Sequence, residues 1–145
     1  MHDQFTERRR AFRALHQQGC FLLPNPWDIG STLRLQRLGF KALATSSSAC
    51  AMALGRTDYQ ISLDEALEHL RLIVRATRLP VNADFESGFA DAPERVADHV
   101  LRAVATGIAG LSIEDRSGSG LYAPDQAAER IAAAKQAIAA SGEDV

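Results

Sequence analysis

Four times along this chain a short apolar run breaks into polar residues and gives way to a stretch with helical spacing. Phe21-Leu22-Leu23 leads into Pro24-Asn25-Pro26-Trp27-Asp28 and then a helical pattern from Ile29 to Leu38, with Gly39 as its stop. Ala42-Leu43-Ala44-Thr45 leads into a long Ser/Gly-rich connection and a helix over Leu63 to Ala76, started by Ser62 with Glu65 three residues on. Val81 to Asp84 precedes a helix opened by Asp91-Ala92-Pro93, and Gly110 to Glu114 precedes a Gly/Ser loop and an alanine-rich helix from Pro124 to Ala140. An amphipathic helix over 3–18, with Phe5, Phe12 and Leu15 on one side and Gly19 at its end, comes before the first unit. Such alternation predicts parallel strands joined by right-handed crossovers in an α/β fold.

Four such units fit a doubly wound open sheet as well as half of a (β/α)8 barrel. The strand ends argue for the barrel, because polar residues of chemical interest follow all four strands instead of clustering at one switch point. At 145 residues the chain is one domain or part of one, short of the roughly 250 residues of a closed barrel. The expectation is one partial barrel domain over residues 1–145, with Gly142-Glu143-Asp144-Val145 as the lead-in to a fifth strand.

Charge and hydropathy narrow the function classes. A net charge of −2 gives no electrostatic footprint for nucleic acid, and Arg8-Arg9-Arg10 is expected on the solvated face of the first helix. No apolar run approaches the ~18 residues of a membrane span, and the N-terminal residues lack a signal-peptide core, so a cytoplasmic chain is expected. Cys20 and Cys50 have no metal-ligand spacing and are expected to be reduced, buried and inert.

The chemistry is carried by acids. Asp84 and Glu86, two apart at a strand end, face the same side if the strand is regular, and Glu114 reaches the same rim from the next strand. Three converging carboxylates repel one another unless a cation neutralises them, and oxygen-only ligands suit Mg²⁺ or Mn²⁺ with retained waters. The alternative is that Asp84 or Asp115 caps a helix and the other acids are solvated. Thr45-Ser46-Ser47-Ser48 offers hydroxyls and N–H groups for a carboxylate or phosphate oxygen, or forms a plain turn. Asp58, in the long second connection, is a candidate general base or water-mediated metal ligand, or a turn former. Trp27 is expected to pack at the rim, where it becomes a candidate substrate contact, and Asp28 to cap. His2, His16, His69 and His99 fall in helical segments or at the terminus, away from the strand ends.

Taken together, Asn25-Pro26-Trp27-Asp28, Gly39-Phe40-Lys41-Ala42, Ala44-Thr45-Ser46-Ser47, Leu54-Gly55-Arg56-Thr57-Asp58, Asn82-Ala83-Asp84-Phe85-Glu86-Ser87-Gly88 and Ser112-Ile113-Glu114-Asp115 resemble the isocitrate lyase/phosphoenolpyruvate mutase superfamily. The likeness is closest to small bacterial members called carboxyvinyl-carboxyphosphonate phosphorylmutase-like or oxaloacetate-decarboxylase-like. It implies a Mg²⁺-dependent TIM-barrel enzyme that cleaves a C–C bond of a small 2-oxo or 2-hydroxy carboxylate through a metal-bound enolate. It also implies Asp84 as direct metal ligand, Glu86, Glu114 and Asp58 on metal-bound waters, catalytic work at Asp58 and Glu114, and Ser46 and Ser47 at the substrate carboxylate.

The chain departs from that pattern after the fourth strand. Arg116-Ser117-Gly118-Ser119-Gly120-Leu121-Tyr122 stands where isocitrate and methylisocitrate lyases resemble each other in a Lys-Lys/Arg-Cys-Gly-His loop, and the Lys and Asn of phosphonomutases are absent as well. Decarboxylation or retro-aldol cleavage is the expectation that remains, beside a phosphonate or carboxyphosphonate mutase and a non-catalytic half-barrel that keeps the metal-site residues. A half-barrel has unpaired strand edges and an uncovered apolar face, so self-association is expected.

Overall fold

The computed structural model describes residues 2–118 and 120–145. In chain order the elements are α1 (His2–Leu15), α2 (Ile29–Arg37), β1 (Leu43–Ala44), α3 (Ser47–Ala53), α4 (Leu63–Ala76), β2 (Val81–Asp84), α5 (Pro93–Val104), β3 (Gly110–Ser112), β4 (Arg116–Ser117), β5 (Gly120–Leu121) and α6 (Pro124–Ser141). β2 lies between β1 and β3 and pairs parallel with both, Leu43 opposite Val81 and Asp84 opposite Ser112. Because side chains alternate along a strand, Val81, Ala83 and Phe85 face one side of the sheet and are fully buried, while Asn82 and Asp84 face the other and are half-buried.

The buried side carries the core. Leu67, Leu70, Ile73 and Val74 of α4, Val96, Val100, Ala103 and Val104 of α5, and Ala134 of α6 close over β2 and Ile108. Each large aliphatic side chain taken fully out of water contributes about 1.5–3 kcal/mol, so this layer is the main source of stability. Local signals set the helix bounds: Ser62 and Glu65 form a reciprocal capping box at α4, Asp28 and Ser31 form one at α2, Pro93 opens α5, and Gly142 closes α6 in a left-handed conformation.

Several expectations are corrected. Phe21–Leu23 forms no strand among the described residues. Pro24 and Pro26 lack the N–H that a ladder needs, and the segment is tied to β1 by one backbone bond, Ala44 N–H to Pro24 C=O at 3.1 Å. The Ser/Gly-rich connection contains α3, and the loop after β3 forms a small antiparallel hairpin of β4 and β5, with Ser119 outside the described residues. α1 ends at Leu15, not at residue 18. Cys50 is buried as expected, but Cys20 is exposed.

The arginines of α1 are the largest correction. Arg8 and Arg9 are buried, not solvated. Arg9 donates to Val104 C=O and Ile108 C=O at 3.1 and 3.0 Å and pairs with Glu143, and Arg8 donates to Val74 C=O at 2.9 Å. Val74 and Val104 lie in the last turns of α4 and α5, whose carbonyls have no partner within the helix. Each of those helices leads into a strand, so α1 covers the end of the sheet where strands begin. Phe12 presses on that same end: a Cβ added at Gly110 would lie 2.6 Å from its ring. The opposite end, where the strands finish, is left for function. Among the described residues no helix is long and apolar enough to cross a membrane.

Gly110→Ala should therefore lower unfolding stability by about 1–3 kcal/mol through overpacking against Phe12. Gly118→Ala, where an added methyl meets nothing within 4 Å, should stay within about 0.5 kcal/mol of the parent chain. Equal urea midpoints for the two variants would remove the Phe12 contact as a constraint.

Candidate functional site

The C-terminal ends of β1, β2 and β3 converge through backbone bonds that cross from strand to loop. Thr45 N–H donates to Asn82 C=O at 2.9 Å, Phe85 N–H to Ser112 C=O at 3.1 Å, and Glu114 N–H to Glu86 C=O at 2.7 Å. Asn25 closes the rim from the first loop by donating its side-chain amide to Ala44 C=O and Thr45 C=O at 2.9 and 3.2 Å.

Asp84 stands at the centre. Its Oδ2 accepts from Ser47 N–H and Ser47 Oγ–H, both at 2.8 Å, while its own N–H donates to Thr45 Oγ1 at 3.0 Å. Ser47 is the first residue of α3, so Asp84 also satisfies one of the helix's unpaired N–H groups, and the capping alternative holds in part. Among the described residues Oδ1 keeps only a long contact, 3.4 Å, from Glu86 N–H. The expected carboxylate-binding serines are thus already engaged: Ser47 with Asp84, and Ser46 as the N-cap of α3, accepting from Ala49 N–H at 3.2 Å.

Glu86 does not continue a regular strand. β2 stops at Asp84, and Glu86, Gly88 and Phe89 all take left-handed conformations, φ 44°, 76° and 58°. For residues other than glycine this costs on the order of 1–2 kcal/mol each, so the loop is held by its surroundings. The Glu86 side chain is buried, and its Oε1 has no hydrogen-bond partner among the described residues. Burial, then the charges of Asp58 and Asp84, push its carboxyl up to about 7.

The remaining candidates sit at the rim. Asp58 is exposed, its Oδ1 accepting from Tyr59 N–H at 3.0 Å, and it lies close enough to Glu86 for its charge to be felt there. The Glu114 side chain is exposed, although its backbone is joined to Glu86. Trp27 is 49% exposed and free of deep packing, and Asp28 caps α2. Asp115 caps no helix; its C=O accepts from Tyr122 N–H at 2.9 Å and closes the hairpin. Among the described residues no three Asp, Glu, His or Cys side chains are gathered tightly enough for a ready-made metal cage. The donor set still fits a hard cation with retained waters: it is all oxygen, Asp84 Oδ1 has only its long contact with Glu86 N–H, and Glu86 has a buried oxygen with nothing to neutralise it.

The sequence pattern missed several supporting residues. Thr45 fixes the backbone of Asp84. His99, set apart by its place in a helix, is buried and donates Nδ1–H to Gly88 C=O at 2.9 Å, so it supports the loop that follows β2. Arg116 of β4 lies 4.5 Å over the Tyr59 ring and joins the hairpin to the loop that carries Asp58. The spacing of Arg130, Ala134 and Ile138, four apart on one helical face, is the signal that places Arg130 inward.

Comparison with known proteins agrees with this layout. A family profile described as phosphoenolpyruvate phosphomutase matches residues 12–145. An uncharacterized protein of Mycobacterium tuberculosis is 35% identical over 127 residues, 87% of this chain and 48% of the relative. An oxaloacetate decarboxylase of Bradyrhizobium sp. is 36% identical over 116 residues, 78% of this chain and 40% of that enzyme. The crystal structure of a provisionally assigned lyase/mutase from Burkholderia cenocepacia superposes with a TM-score of 0.93 at 45% identity, over 95% of this chain and 51% of that one. Phosphonopyruvate hydrolase, crystallised with oxalate and Mg²⁺, shares the fold with a TM-score of 0.84 at 23% identity, over 90% of this chain and 48% of that one. The chain spans about half the length of the curated relatives it matches. Its α/β architecture corresponds to half of a TIM barrel, and by the profile match over most of its length the chain belongs to the phosphoenolpyruvate phosphomutase family.

Proposed function

We propose that this chain carries the cation-binding half of a divalent-metal-dependent C–C lyase that acts on a small 2-oxo or 2-hydroxy carboxylate by decarboxylation or retro-aldol cleavage. The observation behind the reading is the Asp84–Glu86 pair: one carboxylate held by Ser47 through one oxygen, beside a buried carboxyl whose Oε1 has no partner among the described residues. Asp84 would hold Mg²⁺ or Mn²⁺ directly, with Glu86, Glu114 and Asp58 on its waters. The cation would supply positive charge to offset the charge that builds on the substrate's oxo oxygen as the C–C bond breaks. The oxalate and Mg²⁺ of phosphonopyruvate hydrolase and the oxaloacetate decarboxylase relative support a small dicarboxylate as ligand class.

The chain's own residues divide the remaining work. Ser47 and Thr45 orient Asp84, so its open oxygen is fixed before any ligand arrives. Asp58 and Glu114, both exposed, would pass protons between substrate and solvent. Trp27 offers an open ring at the same rim for the substrate's carbon chain. The hairpin presents Arg116 and Leu121, and Tyr122 follows it; none of these is a thiol or imidazole acid. This favours decarboxylation, whose carbon leaves as CO₂ without prior protonation, over chemistry that needs a positioned acid in that loop. The absence of the loop Lys and Asn argues in the same way against a mutase.

The site makes a pH-dependent demand on the chain. The Glu86 carboxyl binds its proton more tightly folded than unfolded, so stability is full below about 4.5 and is lost as the pH rises to about 7. At pH 8 without divalent cation, Glu86→Gln should melt higher than the parent, and at pH 4 the two should coincide. Millimolar Mg²⁺ should raise the parent's Tm at pH 8 and leave Asp84→Ala unmoved. A parent Tm indifferent to both pH and Mg²⁺ would rule out a cation site there.

Turnover is the direct test. Pyruvate release from oxaloacetate should require Mg²⁺ or Mn²⁺, stop with EDTA, and fall at least about 100-fold in Asp84→Ala. A folded, Mg²⁺-binding chain inactive on oxaloacetate and on related oxo and hydroxy acids would favour the non-catalytic half-barrel.

Self-association belongs to the same proposal. β3 ends the described sheet, and beside it a groove of about 490 Å³ runs between α1 and α6, lined by Leu111, Ile113, Ile131 and Ile138. A second copy of the chain laid along this edge would cover it. Light scattering at tens of micromolar should give the mass of a dimer or larger; a monodisperse monomer would exclude this association.

A further inference from the structure

We propose that Arg130 of α6 is a positioning residue for the site, locking the 85–91 loop in the conformation that presents Glu86. Arg130 is 1% exposed, yet its guanidinium meets backbone carbonyls where a carboxylate would be the usual partner. Nη2 donates to Ser87 C=O and to Ala90 C=O, the latter at 2.7 Å, and Nε donates to Asp91 C=O at 3.2 Å. The Tyr122 ring lies 3.9 Å from the guanidinium, and its hydroxyl donates to the Asp91 carboxylate. A buried cation is tolerated only where its donors are satisfied. The planar fork therefore requires the three carbonyls to stand in one arrangement, and that arrangement is the left-handed loop.

The rest of the loop is tied from other directions. His99 holds Gly88 C=O, Gly88 N–H returns to Phe85 C=O at 2.8 Å, and Glu86 C=O takes the N–H of Glu114. A Cβ added at Gly88 would stand 3.0 Å from Val96, so the turn also lies hard against α5. Arg130 reaches this loop from a helix about 40 residues further along the chain, a separation the hydrogen bonds to Ala90 and Ser87 span. Its hydrogen bonds go to the carbonyls of Ser87, Ala90 and Asp91, so it would act on Asp84 and Glu86 through the backbone. A merely structural arginine would stabilise the whole fold evenly. A positioning arginine sets the local opening of this loop.

Amide hydrogen exchange separates the two without any metal. In Arg130→Met, and more weakly in Arg130→Lys, exchange at Gly88 and Glu114 should quicken at least tenfold beyond any change at Leu70 and Ile73 in the core of α4. Tyr122→Phe, which keeps the ring over the guanidinium and removes only its bond to Asp91, should quicken the same two amides to a smaller degree. Wild-type rates at Gly88 and Glu114 in the Arg130 variants, or an increase no greater than at Leu70 and Ile73, would overturn the proposal. If Arg130→Met does not fold, Arg130→Lys and Tyr122→Phe decide it by the same two amides. The functional consequence rests on the cation-site reading: Mn²⁺ affinity, read by electron paramagnetic resonance on folded protein, should fall about tenfold in Arg130→Lys. A parent chain that takes up no Mn²⁺ would defeat the cation reading, while the exchange rates would still decide the role of Arg130.

Discussion

Parallel pairing of β2 between β1 and β3 sends every strand end in the described sheet the same way, and the rest of the molecule is arranged around that fact. A parallel neighbour requires a crossover, and α4 and α5 fill those crossovers while burying Val81, Ala83 and Phe85 beneath them. With hydrophobic side chains committed to the helix side, the alternate positions are released to the other face. Asn82 and Asp84 occupy them. The same register sets Ser112 beside Asp84 and carries Glu114 to the level of Glu86. One end of the sheet is closed by Phe12, Arg8 and Arg9 of α1, whose guanidinium groups satisfy the ends of α4 and α5. The other end, where the strands finish, is left open for the proposed site.

At that end the fold holds groups that work against its own stability. Glu86 is buried near two other acids with an oxygen unpaired, in a loop where Glu86 and Phe89 both carry unfavourable backbone angles. An apolar residue at position 86 and a regular strand would remove both costs. These are the costs that the proposed cation would offset. The supports around the loop are correspondingly dense: Arg130, His99 and the backbone of Glu114 each take a carbonyl of it.

Much of this was legible in the residues themselves. Alternation gave the strand-helix order, Ser62 with Glu65 marked the start of α4, and Val81 to Asp84 was placed with the bounds it has. Acids at strand ends pointed to the mouth, and the family profile over residues 12–145 agrees with the resemblance those motifs carry. The failures share one cause, which is that local pattern does not report long-range backbone partners. Arg8 and Arg9 follow Phe5 by three and four residues and so lie on its face, but their charge suggested solvent; the carbonyls of Val74, Val104 and Ile108 that accept from them are remote in sequence. Arg130, not singled out by the sequence pattern, is likewise held by remote carbonyls. Serine-rich composition suggested a loop at 45–48, whereas Ser46 caps a helix and Ser47 hands its donors to Asp84. The first strand failed because, among the described residues, a single backbone bond, Ala44 N–H to Pro24 C=O, ties its segment to β1.

The serine reassignment changes how a substrate is read into the site. If Ser46 and Ser47 were free, they would bind a carboxylate directly, and Asp84 would be one acid among three. With both donors of Ser47 on one oxygen of Asp84, that carboxylate is fixed in orientation and its charge is partly offset before anything binds. On the proposed function the cation would be the first anchor for an incoming carboxylate, because both donors of Ser47 are already spent on Asp84. α3 is itself held in place, since Ala49, Cys50 and Ala51 are buried and Cys50 and Ala51 pack with Ile61 and Ala66. Asp84 thus joins two motifs that the sequence presents as independent, the acidic end of β2 and the serine-rich start of α3.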